Sequence, residues 1–242
     1  MDSIGLVSIA SYLGAGLGIG LSSIGAGVGE GYIAATTSEA IMRQPKAGES
    51  LMRNMLIGQA LTETGAIFAL VVAILLLFGG LATPDSGIQL AAAALGAGLA
   101  IGIGSIGPGF GNGYIGAQAC AGIGRQPRSA NTLTANMLIG QALSQTSAIF
   151  ALVISMLLMF SITPGDSLAK ALGFVGAALA MGFGAFGPGI GVGLAAGKGV
   201  EGISRYPKHS SLLTRTMLVG SAVAQSTSIY SLVIALLLIF VT

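Results

Sequence analysis

The chain has 242 residues, of which 53% are hydrophobic and only 7% charged, with a net charge of +2, one cysteine and no tryptophan. Its mean hydropathy is +0.89. A water-soluble domain of this size would lack the polar surface needed to stay dispersed, and the small net charge offers no basic footprint for nucleic acid. The chain is therefore read as a bilayer protein.

One unit is spelled out three times: a glycine-laced apolar run, a basic turn, then an aliphatic run with a polar break. Arg43-Gln44-Pro45, Arg125-Gln126-Pro127 and Arg205-Tyr206-Pro207 mark the same turn in each copy. The breaks read LTETGAIFALVV, LSQTSAIFALVI and VAQSTSIYSLVI, so Glu63 is answered by Gln145 and Gln225. In the glycine-rich halves Glu30, Asn112 and Val192 keep the same register. The repeats are assigned to 1–80, 81–162 and 163–242, the first carrying the carboxyls and the others a Gln in place of the second acid.

Each apolar run exceeds the roughly 20 residues that cross the hydrocarbon. The expected elements are helices at 4–41 and 49–78, 87–123 and 131–161, and 167–203 and 211–241. Strands compete for the Gly-x-Gly stretches, but runs this long have no turn signals to divide them, and only closed barrels hold strands in lipid. The fold class is thus an all-α membrane protein of six transmembrane helices in three tandem hairpins.

Arg43, Lys46, Arg53, Arg125, Arg128, Lys198, Arg205, Lys208 and Arg215 lie at or near the turns inside the hairpins, and Lys170 alone sits by the opposite connections. The positive-inside bias places those turns in the cytoplasm and both termini outside, with Asp2, Asp85 and Asp166 on the outer side in short turns. The opening Met-Asp-Ser has no basic region and reads as no cleavable leader. Cys120, among small residues, reads as packing, and His209 at a turn tip as a solvated loop residue.

Glycines such as Gly14, Gly18, Gly25 and Gly29 strip side chains from more than one face of the first helix, and Gly96, Gly102, Gly107 and Gly113 do the same in the second repeat. Small residues permit the close backbone contacts that hold helices together in lipid. The second helix of each hairpin carries Leu, Ile, Val, Phe and Met, which suits a lipid-facing position. A narrow and a wide helix per hairpin are the parts of a tight inner ring and a looser outer one. Gly102-Ile103-Gly104-Ser105-Ile106-Gly107 matches a dinucleotide-binding pattern, but no strand precedes it and no acid follows about 20 residues on. With no Walker lysine pattern or metal-ligand cluster in view either, no bond-breaking chemistry is expected of this chain alone.

Folding the first hairpin near Lys46 leaves Glu30 and Glu63 about 16 residues from the apex, roughly 25 Å at 1.5 Å per residue. They meet at one depth inside the membrane; Asn112 faces Gln145, and Val192 faces Gln225, by the same construction. A charged carboxyl at a helix centre costs at least ~2.5 kcal/mol, so two at one level require a proton, a cation or both. The bland alternative is a protonated acid that ties helices together, but Gln does that without an ionisable group, as the other repeats show. Glu39, Glu49 and Glu201 lie nearer the basic turns, where solvation or ion pairing accounts for them.

Gly29-Glu30-Gly31-Tyr32, then Arg43-Gln44-Pro45, then Gly58-Gln59-Ala60-Leu61-Thr62-Glu63-Thr64 resembles, segment by segment, the proteolipid c subunits of F-type ATP synthases, and the similarity covers all three hairpins. The resemblance implies a rotor ring of several copies, with single-hairpin c subunits as alternative neighbours, embedded in membrane lipid in the plasma membrane of a bacterium. It implies that the polar loops bind the γ and ε subunits of the central stalk, and that Glu63 exchanges an ion with the a subunit of the stator. By similarity to sodium-coupled members, Glu30, Thr64 and the Leu61 carbonyl would complete a Na+ site around Glu63. Gly65 and Phe68 depart from that pattern, while the third repeat keeps Ser226, Thr227 and Tyr230 around Gln225. Two carboxyls, a hydroxyl and a carbonyl favour Na+; a single carboxyl in an apolar pocket would suffice for H+, the alternative cargo. No organic cofactor is expected.

The mechanism expected is that a neutral, occupied site rotates past lipid and an emptied, charged one does not. Each charge crossing yields ~2.3 kcal/mol per 100 mV, so one site per three hairpins cuts the electrical work per turn threefold. That gearing resembles V-type ATP-driven pumps, although the Arg-Gln-Pro turns look F-type. A secondary transporter would show inverted repeats and broken helices, and a membrane scaffold would not need Glu63.

Overall fold

The computed structural model describes residues 3–82 and 87–241. Six long helices occupy nearly all of them: α1 (Ser3–Arg43), α2 (Gly48–Phe78), α3 (Ile88–Arg125), α4 (Ala130–Phe160), α5 (Leu168–Arg205) and α6 (Ser210–Phe240). All six are long and apolar enough to span a membrane. Every expected helix is present, with ends displaced by two residues at most. Asp2 and Asp85, read as outer-side residues, lie outside the described residues.

The hairpin turns share one cause. The residue before a proline is pushed out of the α region, and Gln44 accordingly sits at φ −140° and ψ 74°, ending α1. Pro45 then starts a single 3₁₀ turn, Pro45–Ala47, where its missing N–H costs nothing. Pro127–Ser129 and Pro207–His209 repeat this geometry. At the opposite end, the second connection is pinned to the start of α3: the Ile88 N–H donates to Asp166 Oδ1 at 3.3 Å, and the Gln89 N–H to the Gly165 carbonyl at 3.1 Å. Asp166 thus places a carboxylate at a helix N-terminus, where the helix dipole favours it.

The odd-numbered helices α1, α3 and α5 run side by side as an inner row with α3 in the middle. Two outer helices seat in grooves of that row, α2 against α1 and α3, and α4 against α3 and α5; α6 packs mainly on α5 and α4. Consequently α3 is the most buried of the six and α6 the least. The outward faces of α2, α4 and α6 present Leu70, Ile74, Val153, Ile149, Val233 and Ile234.

Backbone contact sets the spacing of the inner row. A Cβ on Gly113 would land on the Gly29 backbone, and one on Gly193 would land on that of Gly111. Gly102 and Gly107, from the dinucleotide-like motif, serve the same purpose against Gly18 and Phe186. Since lipid supplies no hydrophobic drive between helices, such contacts provide the van der Waals attraction instead. Cys120 is buried and free, accepting a weak hydrogen bond from Asn54 Nδ2 at 3.3 Å, and so acts as a packing residue. His209 is exposed at its turn. Gly113→Ala is therefore expected to destabilise the detergent-solubilised chain by about 1–3 kcal/mol, while Gly48→Ala, with open space around it, leaves it unchanged. Thermal unfolding followed by circular dichroism checks both.

Candidate ion-binding site

Glu63, Gln145 and Gln225 each occupy the midpoint of a 31-residue helix. At about 1.5 Å per residue that is more than 20 Å from either end, so all three lie at one depth deep in the hydrocarbon. What surrounds them differs from hairpin to hairpin.

In the first hairpin the Gln59 side chain donates to the Glu30 carbonyl at 3.2 Å, tying α2 to α1. Glu63 stands one helical turn further along the same face of α2, so it and Glu30 lie on the two helices that this bond joins. Glu30 is half-buried and Glu63 exposed, at the free side of the hairpin row. Among the described residues no other repeat has two acids at this level.

Between the first and second hairpins a buried amide cluster takes their place. Asn112 Nδ2 donates to Gln145 Oε1 at 3.0 Å, and also to the Leu61 carbonyl at 3.3 Å. Gln141, one turn before Gln145, donates to the carbonyls of Gly58 and Asn112, both at 3.0 Å. Ser105 Oγ donates to the Gly65 carbonyl at 3.2 Å. The pairing of Asn112 with Gln145 is as expected from the folded-hairpin construction. The Leu61 carbonyl, by accepting from Asn112, faces the second hairpin's cluster, because α2 lies in the groove between α1 and α3 and has a face toward each. Thr64 Oγ1 donates to the Ala60 carbonyl of its own helix at 3.3 Å.

The junction of the second and third hairpins is closed by hydroxyls. Ser147 Oγ donates to Gln225 Oε1 at 3.0 Å, and Ser228 Oγ to Ser147 Oγ at 3.4 Å. Val192 is fully buried and brings no polar group to Gln225. Nearer the turns, Thr134 donates to Asn54 Oδ1 at 2.7 Å and Thr214 to Asn136 Oδ1 at 2.6 Å, one such bond at each internal junction. Reading single hairpins misses Gln141, Ser147 and these Asn–Thr pairs. The aligned breaks do hold a signal, since Gln59 and Gln141 sit four residues before the key position and so share its face.

The turn residues Arg43, Gln44, Pro45, Arg125, Gln126, Pro127, Arg205, Tyr206 and Pro207 gather at one end of the bundle. All nine basic residues assigned to that end are exposed. Arg43 pairs with Glu39 at 3.4 Å, and Glu201 with Lys198 and Arg205, both at 2.8 Å, which accounts for two of the three loop-side acids. Glu49 lies beside Lys46 and Arg53.

A family model for the C subunit of ATP synthase matches three times, at residues 13–76, 95–158 and 175–238, once on each hairpin. The chain is 55% identical over 76 residues to the ATP synthase c subunit of Alkaliphilus oremlandii, covering 31% of this chain and 85% of that protein. An equal identity links it to the ATP synthase c subunit of Natranaerobius thermophilus, across 87% of that protein. It is also 30% identical over 231 residues to the K subunit of the A-type ATP synthase of Methanocaldococcus jannaschii, covering 95% of this chain and 96% of that protein. Three matches, one to each glycine-rich hairpin with its polar mid-membrane level, place this chain in the family of ATP synthase C subunits, as three c-type hairpins joined in one polypeptide.

Proposed function

We propose that this rotor protein carries one ion per chain, at Glu63 with Glu30 beside it, and that the ion is Na+. The observation that carries the proposal is the single mid-membrane pair of carboxyls on an exposed side of the bundle, where the two equivalent levels hold only neutral amides, hydroxyls and Val192. Among the described residues no three of His, Cys, Asp and Glu converge. Two carboxyls sharing one proton and one monovalent cation make a near-neutral occupied site, which lipid tolerates. An emptied site is charged and is held at the interface with a cationic group of the stator's a subunit.

Gln145 and Gln225 cannot ionise, so their hairpins pass the stator as spacers that keep the ring geometry. One crossing per three hairpins lowers the electrical work per turn and raises the gradient that a given amount of ATP can build, which favours ATP-driven pumping. The basic turns bind the central stalk, γ and ε, on the cytoplasmic side of a bacterial plasma membrane, and the termini lie outside.

Treatment of the assembled complex with a fluorescent carbodiimide, which attacks protonated carboxyls, is expected to label Glu63 alone, with labelling suppressed by Na+. Labelling of Glu63 that Na+ leaves unchanged would establish a proton rotor, and absence of label at Glu63 would overturn its assignment as carrier. Glu63→Gln is expected to abolish carbodiimide-sensitive, ion-coupled ATP hydrolysis. Glu30→Gln is expected to retain coupling while weakening Na+ protection roughly tenfold, the scale of one charge-assisted contact, read from the Na+ concentration that halves labelling.

A further inference from the structure

The amide cluster between the first and second hairpins bonds within itself at only half of its side-chain atoms. Asn112 and Gln141 are 0% exposed and Gln145 8%, yet Asn112 Oδ1, Gln141 Oε1 and Gln145 Nε2 have no protein partner. Turning the amides over cures none of this. Asn112 Nδ2 donates to two oxygens, the Leu61 carbonyl and Gln145 Oε1, and Gln141 Nε2 to two more, the carbonyls of Gly58 and Asn112. Either reversal would set oxygen against oxygen. With Asn112 fixed, Gln145 must offer it Oε1, which leaves Nε2 free. Two acceptors and one donor therefore stay unmatched in a stretch of hydrocarbon where bulk water is no recourse.

The second internal junction shows what is missing here. By repeat register Gly65 corresponds to Ser147, and Ser105 to Ala185. At the junction of the second and third hairpins the Ser147 hydroxyl donates to the Gln225 amide at 3.0 Å, beside a fully buried Ala185. At the junction of the first and second, Gly65 brings no hydroxyl. A Cβ built on Gly65 would stand 3.7 Å from Gln145 Nε2 and 3.4 Å from Ser105 Oγ, and that Ser105 hydroxyl is already committed to the Gly65 carbonyl. The Gln145 amide thus faces a backbone without a side chain, where its counterpart Gln225 faces a serine.

We propose that this junction binds a buried water molecule, seated between Gly65 and the amides of Asn112 and Gln145. It accepts from Gln145 Nε2 and donates to Asn112 Oδ1, closing a ring on the bond those two amides already share, and its second hydrogen goes to Gln141 Oε1. Three partners are the usual complement of a buried water. The free N–H of Gln145 selects water over a cation, which an N–H repels and which no carboxylate of this cluster would neutralise. The second hairpin therefore carries a neutral, hydrated seat at the depth where the first carries its acids. The assignment is independent of Glu63 as the carrier.

Electron cryomicroscopy of the assembled complex, at a resolution that shows ordered water, reads this site in the wild-type chain without any variant. The expected result is a density peak within hydrogen-bond distance, about 2.7–3.2 Å, of both Gln145 Nε2 and Asn112 Oδ1. A map with no peak there, or with those two atoms bonded directly to each other, overturns the proposal. So does a peak that strengthens when Tl+ replaces Na+ in the buffer, which marks a monovalent cation. Gly65→Ser combined with Ser105→Ala, which copies the pair at the other junction, is expected to lose the peak as the introduced hydroxyl takes over the contact with Gln145. A peak that persists unchanged in the double variant overturns the placement of the seat against Gly65.

Discussion

Direct backbone contact between glycines of the inner helices governs the rest of this molecule. Gly29 on Gly113 and Gly111 on Gly193 bring helix axes closer than any side chain would allow. In water the burial of apolar side chains would compete as a source of stability, but in lipid the hydrocarbon is as apolar as the side chains, and close packing supplies the attraction. Once the inner row is this narrow, the wider outer helices cannot line up behind their own partners. α2 and α4 settle into the grooves between inner helices, and each then belongs to two hairpins at once.

That displacement turns the mid-membrane level into a property of junctions rather than of hairpins. Asn112, Gln145, Gln141 and the Leu61 carbonyl form one cluster drawn from two repeats. Ser147 and Gln225 form the next. Hydrocarbon offers no water to satisfy a stranded polar group, so where a junction is closed within the chain the key residue is an amide that trades hydrogen bonds with its neighbours. The carboxyls are found where the chain leaves its row open. Neutral residues thus lie at the closed junctions and the two acids at the open side, along a single repeated sequence.

The relatives fit this division. The bacterial c subunits align with about a third of the chain and most of their own length, as one hairpin each, whereas the archaeal K subunit aligns end to end with all three. Covalent linkage of hairpins lets each one vary independently, which a ring of identical single hairpins cannot do.

Much of this was legible in the sequence. Unbroken apolar runs, Arg-Gln-Pro and Arg-Tyr-Pro turns and repeat register determine six helices, three hairpins and the common depth of Glu63, Gln145 and Gln225, because helix rise and the conformational limits of proline are local properties of the chain. The pairing of Asn112 with Gln145 follows from the same local arithmetic. Which carbonyl each side chain meets does not follow: Leu61 adjoins Glu63 in sequence, yet it serves Asn112 in space. Only tertiary packing decides that, since the lateral position of an outer helix is set by the width of the inner helices on both sides of it, a quantity that no single hairpin contains.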